Sequence, residues 1–322
     1  MLIMNTGIQE LFMRSINFNF IRNPRIQLLL KILISFILLY YLATKIDLSV
    51  LKTINVFIII YLLISVLLTV ECLLFMTIRW SILLTKVYQI KSRFIDLYRF
   101  YIIGMYFNIF FPGAIGGDLM RIYHSNIKYG LGAKKASVIV LAERVTGFVG
   151  VIIIFCIGSL VSAEFYTSLK YDKFWAFFFI LAIIASIILL KTYLDKKIVM
   201  SYQFILIIIF VSIVGQFTDV IIAYLYCNYF NIPMSIFTLM IIMPIVYMSS
   251  VIPISLGGLG VREGTMAILF SLIGADPSVA VLISLLTYIS KVIVGSFGGI
   301  VYIITDIGKP DSNMKISETI EN

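Results

Sequence analysis

The chain of 322 residues is too apolar for a water-soluble domain. Hydrophobic residues make up 61% of it and charged residues 13%, about half the charged fraction of soluble proteins, and the mean hydropathy is +1.07. This composition indicates an integral membrane protein. The formal net charge of +9 is therefore interpreted as a signal of topology and of contact with anionic lipid headgroups, not of nucleic-acid binding.

Several common kinds of site are excluded by the residues present. The three cysteines lie in separate apolar segments without CxxC spacing, and their odd number argues against a disulfide framework. His124 is the only histidine, which excludes a multi-histidine metal site. The sequence has no GxxxxGK[ST] motif for nucleotide phosphates. We expect neither a metal nor a cofactor.

The first quarter of the chain predicts two transmembrane spans. Residues 1–25 are expected to be cytoplasmic or interfacial, and spans follow over 26–43 and 56–78. Arg79-Trp80 is predicted to close the second span at the membrane interface. Basic residues flank this pair of spans on both sides and place both flanks in the cytoplasm: Arg14, Arg22, Arg25, Arg79, Lys86, Lys91, Arg93 and Arg99.

The next apolar stretch, 101–111, is too short to cross a membrane, since a helix needs about 20 apolar residues. It leads into the sequence Phe111-Pro-Gly-Ala-Ile-Gly-Gly-Asp-Leu-Met-Arg121 and then a basic loop that is predicted to be cytoplasmic. Because both flanks lie on one side, we predict a re-entrant hairpin that turns at residues 112–117.

Further spans are predicted over 137–159, 174–190, 203–229 and 279–304, and the last contains a Gly295-x-x-x-Gly299 spacing that permits close helix packing. Region 236–273 is either a second hairpin, entering from outside, or two crossings. The fold class is thus an all-α polytopic membrane protein with about six to eight transmembrane helices and one or two hairpins broken by Gly and Pro. The membrane domain covers 26–306, a polar cytoplasmic tail covers 307–322, and both termini are cytoplasmic.

A second stretch, 252–262, repeats the spacing of 111–121. Four pairs of residues coincide without a gap: Pro112 and Pro253, Gly116 and Gly257, Gly117 and Gly258, Arg121 and Arg262. Proline and paired glycines break helices, and breaks at corresponding positions of two halves point to a transporter-type site. If both breaks are re-entrant, they enter from opposite sides of the membrane and form an inverted repeat.

Charged residues inside apolar segments are the candidate site residues, because each needs a partner or a water-filled cavity. A helix that starts after each glycine pair would present free N–H groups to an anion, with Arg121 and Arg262 about one turn further on to bind phosphate. The predicted headgroup or phosphate site comprises Gly116, Gly117, Asp118, Arg121, Glu143, Arg144, Gly257, Gly258, Arg262 and Glu263.

Other assignments for these charges stay open. Asp118 could instead cap its helix, with Arg121 at the interface and the glycines serving only packing. Glu143 and Arg144 are adjacent, so they cannot pair with each other on a helix. Each needs a partner on another segment, or one of them faces a ligand. Asp219 and Lys291 are candidates for a proton or ion relay, and Lys291 is also a candidate to neutralise an acid.

The two glycine-pair motifs, Glu143-Arg144 and Arg79-Trp80 together resemble the lysylphosphatidylglycerol synthase transmembrane region family. This flippase-like domain also forms the N-terminal part of bacterial multiple peptide resistance factors. The resemblance covers nearly the whole chain, and it implies a multi-pass protein of the bacterial or archaeal cytoplasmic membrane that moves a phospholipid or polyprenyl-linked lipid between leaflets. The synthase domain of those factors has no counterpart here, so we do not expect aminoacyl transfer to phosphatidylglycerol.

Two other functions stay open beside lipid translocation. A membrane-embedded lipid-modifying enzyme could use Asp118, Glu143 and Glu263 as acid–base groups. A scaffold could position a partner glycosyltransferase or synthase. The expected partners are membrane lipids that are anionic or carry phosphate. A partner lipid-modifying enzyme and a homo-oligomer are left open.

Overall fold

The structure, a computed structural model, describes residues 24–45, 47–111, 115–162, 184, 202–252, 255 and 257–305. The predicted N-terminal segment, the tail, the span over 174–190, Pro112 and Pro253 lie outside the described residues, apart from the backbone at 24–25. Nine α-helices are present in these ranges, without a β-strand: α1 (Pro24–Lys45), α2 (Ile58–Tyr88), α3 (Phe94–Phe110), α4 (Ile115–Tyr129), α5 (Gly132–Val161), α6 (Tyr202–Tyr229), α7 (Ile236–Val251), α8 (Val261–Leu272) and α9 (Pro277–Ile304). The predicted all-α polytopic membrane fold is confirmed.

Four helices among the described residues are long and apolar enough to cross a membrane, namely α2, α5, α6 and α9. They coincide with the spans predicted over 56–78, 137–159, 203–229 and 279–304. The total of six to eight crossings and the orientation of the termini stay predictions.

Helices α3 and α4 form an antiparallel pair, which we call the first hairpin. At its base, Lys128 Nζ lies 2.8 Å from Asp96 Oδ2, and near its tip the Gly117 N–H donates to Asn108 Oδ1 over 2.6 Å. With 17 and 15 residues and a rise of about 1.5 Å per residue, each arm is shorter than the roughly 30 Å hydrocarbon core. These are the dimensions that a re-entrant hairpin needs.

Helices α7 and α8 form the second hairpin, joined through residues 252–260. They contain only 16 and 12 residues, and α8 turns back directly into α9. Three hydrogen bonds tie together the helix ends around the base of this hairpin: Asn55 N–H to Tyr229 Oη (2.9 Å), Ser162 Oγ with Thr238 Oγ1 (3.0 Å) and Asp47 N–H to Ser278 Oγ (3.1 Å). Region 236–273 is therefore a hairpin in its geometry.

The two hairpins start at opposite ends of the helix bundle. Helix α9 begins beside the base of the second hairpin and runs antiparallel to α3, so Gly295 meets Met105 and Gly298 meets Ile102. The base of the first hairpin consequently lies at the far end of α9. This opposite arrangement is the one that an inverted repeat requires, although the repeat itself stays a prediction.

Glycines let α9 and α3 approach until their backbones touch. A Cβ atom built on Gly298 would lie 2.1 Å from the Ile102 carbonyl oxygen, and one on Gly299 would lie 2.7 Å from the Tyr106 ring. The predicted Gly295-x-x-x-Gly299 spacing thus serves close packing, as in other membrane helix pairs.

We expect Gly298→Ala to destabilise the protein by about 1–3 kcal/mol, because the added methyl group overpacks a backbone contact. Gly264→Ala is the matched control, since a Cβ there meets nothing within 4 Å and alanine favours helix by about 0.5–1 kcal/mol. Thermal unfolding in detergent measures both. Equal melting temperatures for the two variants would contradict the α3–α9 contact.

Candidate functional site

A cavity of about 280 Å³ lies between the tips of the two hairpins. Residues from both repeated motifs border it, including Gly117 and Arg121 of the first and Gly257 and Arg262 of the second. The tips themselves are in contact: a Cβ on Gly257 would lie 3.6 Å from the Asn108 carbonyl oxygen. Two stretches that are far apart in sequence therefore build one site.

The two motifs adopt different backbones despite their identical spacing. Gly116 and Gly117 lie inside the first turn of α4, where a Cβ would come within 2.8 Å of the Phe107 and 2.7 Å of the Gly104 carbonyl oxygens. In the second motif, three glycines precede α8 in the left-handed region that glycine favours: Gly257 (φ 55°), Gly258 (φ 78°) and Gly260 (φ 85°).

This difference corrects the predicted geometry of the arginines. Neither lies one turn beyond a break, since Arg121 is the seventh residue of α4 and Arg262 is the second residue of α8. The expectation of free N–H groups is also wrong for two glycines of the motifs, whose N–H groups have acceptors within the protein. Asn108 accepts from Gly117 N–H, and Glu263 Oε2 accepts from Gly260 N–H over 2.6 Å. These two N–H groups are therefore already engaged within the protein.

Five charged side chains join into one alternating network, which we call the arginine chain: Arg79, Glu143, Arg121, Asp118 and Arg144. Glu143 bridges Arg79 and Arg121, the latter over 3.1 Å. Asp118 bridges Arg121 and Arg144. Glu143 and Arg144 thus find partners on other helices, as their adjacency requires. Asp118 accepts from arginines, which disfavours the alternative in which it only caps its helix.

The centre of the arginine chain is deeply buried. Arg121 has a side chain only 7% exposed, and its guanidinium carbon lies 4.4 Å from the Tyr101 ring centroid, close enough for a cation–π interaction. This burial disfavours the alternative that places Arg121 at the membrane interface. The glycine pair of the first motif nevertheless does serve packing.

Arg79 is the member of this network that the sequence analysis misplaced. Helix α2 continues to Tyr88, so the prediction that it closes at Arg79-Trp80 is wrong. Both side chains are buried inside the bundle, which disfavours an interfacial pair. Arg79 Nη1 donates to Ser212 Oγ over 3.0 Å. The available signal was the apolar pattern Ile82-Leu83-Leu84, which extends the helix by two turns beyond Trp80.

The second motif holds a smaller polar cluster. Fully buried Glu263 pairs with Arg262 and accepts the Gly260 N–H, so one carboxylate fixes both the arginine and the start of α8. Arg262 Nε also donates to Ser284 Oγ over 3.0 Å, and its guanidinium carbon lies 4.5 Å from the Tyr288 ring centroid.

Asp219 and Lys291 form an ion pair across α6 and α9 on another part of the cavity wall. Lys291 Nζ lies 3.0 Å from both Asp219 carboxylate oxygens. The expectation that Lys291 neutralises an acid is met. Gln216, one helical turn before Asp219, borders the same cavity.

Of the ten predicted headgroup-site residues, seven border the cavity: Gly117, Asp118, Arg121, Glu143, Arg144, Gly257 and Arg262. The other three lie outside the cavity wall and contact neighbouring residues. Gly116 packs on Phe107 and Phe111, Gly258 packs on Ser250, and Glu263 pairs with Arg262.

Positive charge is in excess around the cavity. Among the described residues, five cations border it: Arg79, Arg121, Arg144, Arg262 and Lys291. Four carboxylates balance them, three in the wall (Asp118, Glu143 and Asp219) and Glu263 behind Arg262. The remaining positive charge belongs to the arginine chain, which has three guanidinium groups for two carboxylates. In a low-dielectric interior, such an excess favours an anionic ligand.

The sequence profile of the lysylphosphatidylglycerol synthase TM region family matches residues 28–198 and 189–299. With a bundle of apolar spans around a charged central cavity, the chain is an integral membrane protein, and it belongs to this family. Comparison with curated proteins and with solved structures finds no match.

Replacement of Glu143 by Gln leaves two buried arginines without their shared carboxylate. We expect a loss of about 3–5 kcal/mol in stability, typical of breaking a buried ion pair from one side. Glu71→Gln is the control, because Glu71 is an exposed acid of α2 outside the cavity wall. Thermal unfolding of both variants measures the effect. A melting temperature for Glu143→Gln equal to that of the control would refute the bridging role.

Proposed function

We propose that this protein is a flippase-like transporter that translocates a phosphate-bearing lipid between the leaflets of the cytoplasmic membrane. The lipid headgroup binds in the cavity between the hairpin tips. The single observation that carries this proposal is the arginine chain at the cavity wall, with one more guanidinium group than carboxylates. Membership of a family named for a lipid synthase supports a lipid as the ligand.

The arrangement of the arginines suits a phosphate group. Arginine offers a planar fork of donors that binds two phosphate oxygens at once. Arg144 and Asp118 form the more accessible end of the arginine chain, with side chains 23% and 18% exposed. Arg79 and Arg121 are almost fully buried. We infer that Arg144 contacts the headgroup first, and that the buried members hold the local charge in place.

The location of the cavity suits translocation. It lies where two short hairpins from opposite ends of the bundle meet, so a headgroup there would be about halfway between the two surfaces. Such a midpoint site between broken helices is the usual arrangement in secondary transporters. Access from either side then requires only that one hairpin tip moves against the other.

The three carboxylates considered as acid–base groups of an enzyme favour transport over lipid modification. Asp118, Glu143 and Glu263 each accept hydrogen bonds from at least one arginine, so their oxygens are occupied in positioning guanidinium groups. An acid–base catalyst needs an oxygen that can reach a proton of the substrate. We therefore propose that the lipid leaves the protein chemically unchanged.

Translocation of fluorescent lipids in proteoliposomes tests the proposal. The native protein is expected to move anionic, phosphate-bearing lipids, and Arg144→Gln is expected to slow this about tenfold or more, because a charge-assisted hydrogen bond to a buried anion is lost. The matched control is Arg93→Gln, which removes an exposed arginine outside the cavity.

The same vesicles distinguish the rival functions. Chemical change of the headgroup, detected by mass spectrometry, would favour a lipid-modifying enzyme. Equal rates for native protein, Arg144→Gln and protein-free vesicles would reject translocation and leave the scaffold as the better proposal.

A further inference from the structure

The Asp219–Lys291 pair differs in kind from the arginine chain, although both border the same cavity. Arginine stays protonated at every pH that a cell reaches, whereas lysine and aspartate both exchange protons. Asp118 and Glu143 are each held by two arginines. Asp219 is held by the ammonium group of Lys291, which carries one charge on a flexible stem. Displacing this single cation leaves Asp219 without the ion-pair partner that the structure gives it.

The surroundings of Asp219 contain no ready substitute for Lys291 among the described residues. Cys72 on α2 and Tyr247 on α7 interact electrostatically with Asp219. The other charged residues of α2 and α5 that border the same cavity are Arg79, Glu143 and Arg144. Thiol and phenol groups are uncharged near neutral pH. Arg79 and Arg144 are engaged by Glu143 and Asp118.

We propose that Asp219 and Lys291 couple binding of the headgroup to uptake of a proton; this rests on the proposed function. A phosphodiester oxygen that binds Lys291 displaces the Asp219 carboxylate. The Asp219 side chain is only 18% exposed, and a carboxylate without a cation in such a largely buried site is disfavoured in its charged form. Asp219 therefore takes a proton from water that reaches the cavity, forming an O–H bond on one carboxylate oxygen, and releases it when the headgroup leaves.

The charge balance of this step determines the driving force. The headgroup brings one negative charge and the proton brings one positive charge, so the loaded site has the same net charge as the empty one. Each transport cycle then carries no net charge across the membrane. A pH gradient drives the transport of a monoanionic lipid, and the membrane potential leaves its rate unchanged.

Helix α9 connects this pair to both hairpin tips. One turn before Lys291, Tyr288 stacks on Arg262 of the second hairpin. One turn after it, Gly295 packs against Met105 of the first hairpin. Lys291, which exchanges Asp219 for the headgroup in this proposal, therefore lies on the helix that both hairpins contact. By linkage, the headgroup raises the affinity for the proton as much as the proton raises the affinity for the headgroup.

Binding of a short-chain phosphatidylglycerol to the purified protein in detergent tests the coupling. This probe is a phosphodiester, whose own charge is constant near neutral pH. For uptake of one proton on binding, the affinity is expected to fall about tenfold for each unit of rising pH. In a weakly buffered solution, binding is expected to take up about one proton per lipid.

Asp219→Asn keeps the shape of the side chain and removes the proton-binding group. The affinity of this variant for the short-chain phosphatidylglycerol is expected to be independent of pH. Its transport rate in proteoliposomes is expected to be the same with and without a pH gradient. Glu71→Gln, which removes an exposed acid from α2, is expected to keep the tenfold dependence. Should Asp219→Asn fail to fold, proton uptake by the native protein decides the question.

The outcomes separate this inference from the proposed function. Binding by the native protein that is independent of pH and takes up no proton would overturn the coupling and leave the headgroup site standing. Failure to bind any anionic lipid would overturn both. Transport accelerated by a membrane potential at equal pH would also overturn the electroneutral coupling.

Discussion

Pairing of buried charge is the constraint on which the centre of this protein depends. A charged side chain inside an apolar bundle is expensive unless a partner neutralises it, and Arg79, Arg121, Glu143 and Glu263 are all nearly inaccessible to solvent. Arg79, Arg121 and Glu143 lie on three different helices, so α2, α4 and α5 must assemble together before the Glu143 carboxylate meets both arginines. Glu263 pairs with its neighbour Arg262 on α8. The ion pairs thus specify which helices meet, while the apolar contacts around Trp80 and Phe270 supply most of the packing.

Close backbone contact is the second condition for the site. The first hairpin is only two helices of moderate length, and it reaches the middle of the bundle because glycines on α4 and α9 let α3 approach both neighbours. The second hairpin uses its glycines differently, as a left-handed connection before α8. The same sequence pattern therefore meets two different steric needs. In one copy it allows a close helix pair, and in the other it allows a turn of the backbone.

The chemistry of the cavity follows from a division between arginine and lysine. Arginines build a network whose charge is fixed and whose geometry suits phosphate oxygens. The lysine pair adds two groups that can exchange protons. In the mechanism that we propose, the arginines hold the headgroup and the lysine pair responds to it, because fixed attraction alone would only bind the lipid.

The sequence by itself determined the class of the protein, the positions of the four long apolar spans, the first hairpin and seven residues of the cavity wall. These features are local: spans follow from runs of apolar residues, hairpins from interrupted runs, and candidate residues from charges that have no place in hydrocarbon. Its repeated spacing also indicated correctly that the two motifs belong to one site.

The tertiary structure alone decided how those charges pair and where the helices end. Arg79 looked interfacial because a cation and tryptophan often mark the end of a span. The carboxylate that neutralises it inside the bundle, Glu143, is 64 residues away in sequence. The two glycine motifs looked equivalent, but contacts with α3 kept the first helical, whereas positive φ angles turned the second. Region 236–273 could be two crossings or a hairpin until the contacts at its base were known. Each of these outcomes depends on groups from distant parts of the chain, and no local pattern records which partner is reached.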